Sequence, residues 1–127
     1  GFKPKIAVTG LNPHCESVLK FNEDEKIILP LIKLLKKKIN VKGPFPADTI
    51  FLKDNRKKFD VIIGMYHDQV LSPFKTLFNF EAINITLGLP YIRVSPDHGT
   101  GEDIIKKNLA SPESLVQCIK FFSKIND

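Results

Sequence analysis

Along the chain, short runs of consecutive apolar residues alternate with stretches in which apolar residues recur at helical spacing. Residues 5–9 (KIAVT) form a short apolar run that predicts a strand, with the loop GLNPHC at its carboxyl end. Asn22 has the character of a helix N-cap, and Glu25 three residues on is its capping-box partner. The helix it opens carries Ile27, Ile28, Leu31, Leu34 and Leu35 at helical spacing, so that face is expected in the core. Pro30 inside it predicts a kink or a split. Residues 43–48 (GPFPAD) read as a turn-rich loop, followed by a short helical stretch, TIFLKD. Residues 60–64 (DVIIG) predict a buried strand of the parallel type. A helix is expected over residues 67–78, with its polar start toward a site. Two further strands follow over residues 82–86 and 91–94, separated by the turn LGLP. The loop SPDHGTGEDI enters a short helix, and a last helix runs from Ser111. Pro112 stands at its first position, and Leu115, Ile119 and Phe122 line the face expected to be buried. Strands alternating with helices predict an α/β fold, a parallel or mixed sheet flanked by helices. With no linker, repeat or low-complexity segment, residues 1–127 read as one domain.

Composition narrows the function classes. The chain has 127 residues, 43% hydrophobic and 26% charged, enough for one core and not for two. Its net charge of +5 favours an anionic ligand. Much of that charge lies in Lys33, Lys36, Lys37 and Lys38 and in Arg56, Lys57 and Lys58, which also suit a solvated helix face and a loop. No aromatic residues interleave with these runs, which argues against a nucleic-acid partner. Cys15 and Cys118 make no disulfide scaffold for a chain this size, so a reducing cytoplasm is expected. No apolar run approaches a membrane span and no signal peptide is visible. The opening Gly-Phe-Lys, without an initiator methionine, has the look of a piece of something longer.

The titratable residues gather where strands are expected to end. His14 (LNPHC), His67 (MYHDQ) and His98 (PDHGT) all fall in such loops, open to a metal-binding or catalytic reading as well as a plain surface one. Imidazole beside carboxylate suits a borderline divalent ion such as zinc, cobalt or manganese, although no zinc-finger spacing is present. Lys75, Asn84 and Arg93 form a second group. Arg93, inside the apolar run YIRVS, needs a partner: either an acid such as Asp97, or a phosphate or carboxylate ligand gripped by its guanidinium fork. Neither a P-loop nor a GxGxxG appears.

LNPH, GPFPADT, MYHDQ with a lysine eight residues beyond its histidine, NITLGLPYIR and DHGT occur in this order. Together they closely resemble the carboxyl-terminal part of the 4-hydroxythreonine-4-phosphate dehydrogenase family. The resemblance implies an isocitrate/isopropylmalate dehydrogenase-like fold, present here in part. It also implies NAD- or NADP-linked oxidation and decarboxylation of 4-phosphooxy-L-threonine to 3-amino-2-oxopropyl phosphate in vitamin B6 (pyridoxal phosphate) synthesis.

Carried over by residue, His14 and His67 are expected as metal ligands for zinc, magnesium or cobalt, the third ligand lying in the family's amino-terminal part. Lys75, Asn84 and Arg93 are expected at the substrate, and Asp48 and Asp68 as acidic residues of the site, with Lys75 also counted among the catalytic groups. His98, Gly99, Thr100, Asp103 and Ala110 are expected around the adenosine end of the cofactor. The family's sites are shared between the subunits of a homodimer.

Two departures stand out. CESVLKFNEDEK follows NPH where the family has a glycine-rich stretch, and Ile105-Lys106 stands where the wider superfamily has Ala-Gly. Rival readings are a dehydrogenase of 4-phospho-threonate or 4-phospho-erythronate, and a non-catalytic metal-binding fragment. As a fragment, the chain is expected to be inactive alone.

Overall fold

The computed structural model describes residues 1–15 and 21–126. The sequence reads as one domain; by contact, the residues gather into two compact units, Gly1–Pro73 and Phe74–Asp127.

The first unit is built on three parallel strands, β1 (Ile6–Thr9), β2 (Val41–Phe45) and β3 (Val61–Ile63), in the order β2-β1-β3. Ala7 pairs with Lys42 on one side and with Ile62 on the other. Central β1 is buried because it is covered on both edges, with Ala7 and Thr9 fully enclosed. β2 occupies part of what the sequence presents as a turn-rich loop. Its Pro44 has no N–H to give, which an edge strand tolerates. Gly43 allows the close approach: a Cβ there would lie 2.4 Å from the Val8 carbonyl oxygen, and its φ is +145°. β3 pairs in parallel as expected, but it is not a buried strand. It is the other edge, and Val61 and Ile63 remain 41% and 43% exposed.

Helix α1 starts with a wide π-helical turn, Asp24–Ile28, and continues as a regular α-helix over Leu29–Leu35. Asn22 caps it, its side-chain oxygen accepting from the N–H groups of Asp24 (3.0 Å) and Glu25 (3.3 Å). The change of winding falls beside Pro30, which cannot donate to the turn before it. The expected face is overturned in part. Asp24, Ile28 and Ile32 point inward, with Leu35 partly so, while Ile27, Leu31 and Leu34 are more than half exposed. Ile28 and Ile32 close over Val8 and Val41 to make the core. The expected TIFLKD helix is two single turns, α2 (Ala47–Ile50) and α3 (Lys53–Arg56). Helix α4 (His67–Phe78) carries the boundary between the units.

The second unit contains an antiparallel ribbon of β4 (Ile83–Thr86) and β5 (Arg93–Pro96), in register Asn84 with Ser95 and Thr86 with Arg93. A single 3₁₀ turn, Glu102–Ile104, stands where a short helix was expected. Helix α5 (Glu113–Asn126) packs on the ribbon. Here too the predicted face is overturned: Leu115 and Ile119 are more than half exposed, whereas Ser114 and Cys118 are buried. Both helices present two apolar-looking sides, and each buries the side that also carries a small or hydrogen-bonding residue. No described helix is long and apolar enough to cross a membrane.

Candidate functional site

In the first unit the three strands run the same way, so their carboxyl ends share one edge of the sheet. The loop after β1 carries His14, the turn after β2 opens α2 with Asp48, and the loop after β3 delivers His67 and Asp68 to the start of α4. The strand order sets the His14 loop between the other two. That edge is where parallel sheets present ligand-binding groups.

Polar contacts inside this edge define its shape. Asp24, 1% exposed, accepts from the N–H groups of Leu11 (2.7 Å) and Asn12 (2.8 Å). Asn12 in turn accepts the His14 N–H at 2.9 Å. Gln69, buried in the first turn of α4, accepts from Thr9 Oγ1 (2.8 Å) and from the Met65 N–H (2.7 Å), and donates to the Gly10 carbonyl (2.7 Å). Gly10 is the residue that lets these groups meet, since a Cβ there would lie 2.7 Å from Cys15 Sγ and 2.9 Å from Asp24 Oδ1. Burial pushes the Cys15 thiol up; its hydrogen bond with the Gly10 backbone opposes that, and the charges of Asp24 and Asp48 add to the rise.

His14 is exposed, and so is His67, whose Nδ1 lies 2.7 Å from Asp68 Oδ1. A carboxylate on one ring nitrogen leaves Nε2 for a ligand, the usual arrangement around a metal-binding imidazole. Among the described residues no three of His, Cys, Asp or Glu gather as a metal-ligand set. Of the altered stretch after His14, residues 16–20 lie outside the described residues.

The second unit holds the other expected site residues. Alternation along the ribbon puts Asn84 and Thr86 of β4 on one face with Arg93 and Ser95 of β5. The expected alternative of an Arg93–Asp97 ion pair is overturned. Arg93 Nη1 donates instead to its cross-strand neighbour Thr86, at Oγ1, 2.9 Å away. Asp97, beyond the end of β5, takes Lys75: the ammonium lies 3.0 Å from its carboxylate and also donates to its carbonyl. Buried Ser114 fixes this point, accepting the Asp97 N–H (2.9 Å) and donating to the Ala82 carbonyl (2.5 Å).

Immediately after Asp97, His98, Gly99, Thr100, Asp103 and Ala110 all line one cavity of about 610 Å³, walled on its apolar side by Phe80, Ile104 and Leu109. Lys106 has φ +63° and Asn108 has φ +54°, so the loop holds two side chains in the left-handed backbone that glycine favours. Asp24, Gln69 and Ser114 have no role assigned from the sequence, where Gln69 is only the last letter of MYHDQ. An acid and a serine in polar, charged surroundings give no sign of being buried.

The comparisons with known proteins agree on one family. Residues 2–122 match the family model described as pyridoxal phosphate biosynthetic protein PdxA. A 4-hydroxythreonine-4-phosphate dehydrogenase of Xanthobacter autotrophicus is 47% identical over 126 residues, 98% of this chain and 36% of that protein. One from a Sulfurihydrogenibium species is 49% identical over 120 residues, 93% of this chain and 37% of that protein. A crystal structure of 4-hydroxythreonine-4-phosphate dehydrogenase from Klebsiella pneumoniae superposes with a TM-score of 0.76 at 39% identity, covering 98% of this chain and 39% of that one. The chain thus spans just over a third of the length of these relatives.

Proposed function

The chain belongs to the family of pyridoxal phosphate biosynthetic protein PdxA, and from that membership we propose that it supplies part of a 4-hydroxythreonine-4-phosphate dehydrogenase. The reaction is NAD-linked oxidation of the secondary hydroxyl of 4-phosphooxy-L-threonine, followed by loss of carbon dioxide to give 3-amino-2-oxopropyl phosphate. The setting is the cytoplasm, and the working form is a homodimer.

The observation that carries the reading is the cavity formed by the loop that follows β5. It is lined by His98, Gly99, Thr100, Asp103 and Ala110, and its volume of about 610 Å³ falls within the usual range for small-molecule and cofactor sites. Asp103 is the group suited to a ribose hydroxyl, and the small residues Gly99 and Ala110 let a flat base lie against the wall. NADP in place of NAD would bring a further phosphate against Asp103, so NAD is the better fit.

At the sheet edge of the first unit, His14 and His67 offer two imidazoles, one backed by Asp68. This donor chemistry fits a divalent cation of the zinc, cobalt or magnesium class, with the remaining ligand coming from elsewhere in the enzyme. Such an ion acidifies a substrate hydroxyl and draws electron density from the ketone made from it. Asp48 and Asp68 stand at the same edge as candidate proton acceptors. In the second unit, Arg93 and Asn84 share a ribbon face that suits phosphate and hydroxyl groups, and Lys75 adds a cation held by Asp97.

NAD binding tests the reading. Titrated with NAD, the chain should show shifts in the amide signals of Gly99, Thr100 and Gly101, and Asp103→Ala should weaken binding about tenfold, which is about 1.4 kcal/mol. No NAD-dependent shift in this loop, or equal binding by the Asp103 variant, refutes the cofactor assignment.

A further inference from the structure

A single buried amide joins the two loops that carry His14 and His67. The Gln69 side chain is 6% exposed, and its oxygen and nitrogen are both engaged. Its oxygen accepts the Met65 N–H at 2.7 Å, two residues before His67, and the Thr9 hydroxyl at 2.8 Å, at the end of β1. Its nitrogen donates at 2.7 Å to the Gly10 carbonyl, where the His14 loop begins. From the other side Asp24, 1% exposed, takes the next two N–H groups of that loop, those of Leu11 and Asn12. The side chain of Asn12 then takes the His14 N–H. Both histidine side chains are exposed. Their placement depends on the backbone of two short loops, and each loop is tied to the same buried group.

We propose that Gln69 is a positioning residue that holds the His14 and His67 loops in mutual register, with Asp24 as its counterpart on the His14 loop, so that the two imidazoles meet one divalent cation. The cation rests on the function proposed above; the brace rests on the hydrogen bonds alone. A buried amide suits the task because its two ends differ. The oxygen can serve only the β3 loop and Thr9, and the nitrogen only the Gly10 carbonyl, so the register between the loops is set by one planar group. A leucine would fill the volume and tie neither loop. A glutamate would keep the acceptor for Met65 and Thr9 but set an oxygen against the oxygen of Gly10.

The test uses the whole chain with Gln69→Leu and Gln69→Glu, read in two ways. The first is amide exchange without metal. In Gln69→Leu, exchange at Met65 and at Leu11 and Asn12 should rise together, about tenfold, while Ile6 at the far end of β1 is unchanged. Gln69→Glu should raise exchange at Leu11 and Asn12 and leave Met65 near the wild-type rate. It also covers the case in which the leucine variant does not fold. The second reading is Co²⁺ broadening of the His14 and His67 ring signals. In the wild type both should broaden over one concentration range, and Gln69→Leu should need about tenfold more Co²⁺.

Exchange that rises at Met65 alone, with Leu11 and Asn12 untouched, overturns the brace. Coupled exchange with unchanged Co²⁺ affinity overturns the positioning role. Coupled exchange in a wild-type chain whose histidines do not respond to Co²⁺ overturns the cation reading and sustains the brace.

Discussion

Replacing Ser114 by alanine removes one hydroxyl and orphans two backbone groups. The Ser114 oxygen accepts the Asp97 N–H at 2.9 Å and its proton goes to the Ala82 carbonyl at 2.5 Å. Ser114 and Ala82 are 1% and 2% exposed, so water cannot take over the bond to Ala82 without opening helix α5 from the ribbon. A buried polar group left unpaired costs about 1–3 kcal/mol. Ala82 lies toward the upper end of that range, while partly buried Asp97 can recover some hydration. The sum is about 3 kcal/mol, roughly two decades in the unfolding equilibrium and a large share of the stability of a small unit. The assay is urea unfolding followed by circular dichroism, with the midpoint lowered and the slope unchanged. Ser111→Ala is the control, because its hydroxyl makes an exposed contact with the Glu113 N–H at 3.3 Å; it should cost less than about 1 kcal/mol. A loss below about 0.5 kcal/mol in Ser114→Ala would refute the view that this hydroxyl ties α5 to the Asp97 turn.

Lys106→Gly should raise stability by about 0.5–1 kcal/mol in the same assay, because the left-handed φ of Lys106 costs a side chain about 1–2 kcal/mol and glycine returns part of the gain as chain entropy; a destabilised variant would show that the lysine side chain makes up the difference. Cys15, its thiol pushed up by burial, should be alkylated more slowly than a free cysteine thiol at pH 8. The sign follows: the folded chain holds the thiol proton more tightly, so the associated stability is present below the unfolded thiol range and is lost as pH rises through the folded value. Cys15→Ser should flatten that alkaline decline, and an unchanged pH curve counts against it.

Much of the strand pattern was legible because apolar runs bounded by Gly, Pro, Asn or Asp have few other uses. β1, β3, β4 and β5 fall within two residues of their expected positions. β2 was hidden by Gly43 and Pro44, which signal a turn to any local reading. Only pairing with β1, where Gly43 allows the approach to Val8, makes them a strand. The helix faces went astray for a related reason. Periodicity finds Ile27, Ile28, Leu31, Leu34 and Leu35, of which only Ile28 is buried and Leu35 partly so. It also finds Leu115, Ile119 and Phe122, all exposed. The buried sides also carry Asp24 and Ser114, which hydrogen-bond to distant backbone. At the site, the sequence placed His14 and His67 at strand ends, and the parallel topology puts those ends on one edge together with Asp48, which follows the unforeseen β2. It could not show that Asp97 turns to Lys75 and leaves Arg93 to Thr86, since that choice depends on the register of β4 against β5.

The central claim is that this chain carries the cofactor loop and two of the metal-binding histidines of a 4-hydroxythreonine-4-phosphate dehydrogenase. The most direct measurement splices residues 2–122 into the Xanthobacter autotrophicus relative in place of its matching third and follows NAD reduction by absorbance with 4-phosphooxy-L-threonine and added divalent metal. The account predicts turnover by the chimera, abolished by His67→Ala in a protein that still folds. A folded chimera without turnover, or one whose activity survives His67→Ala, contradicts it.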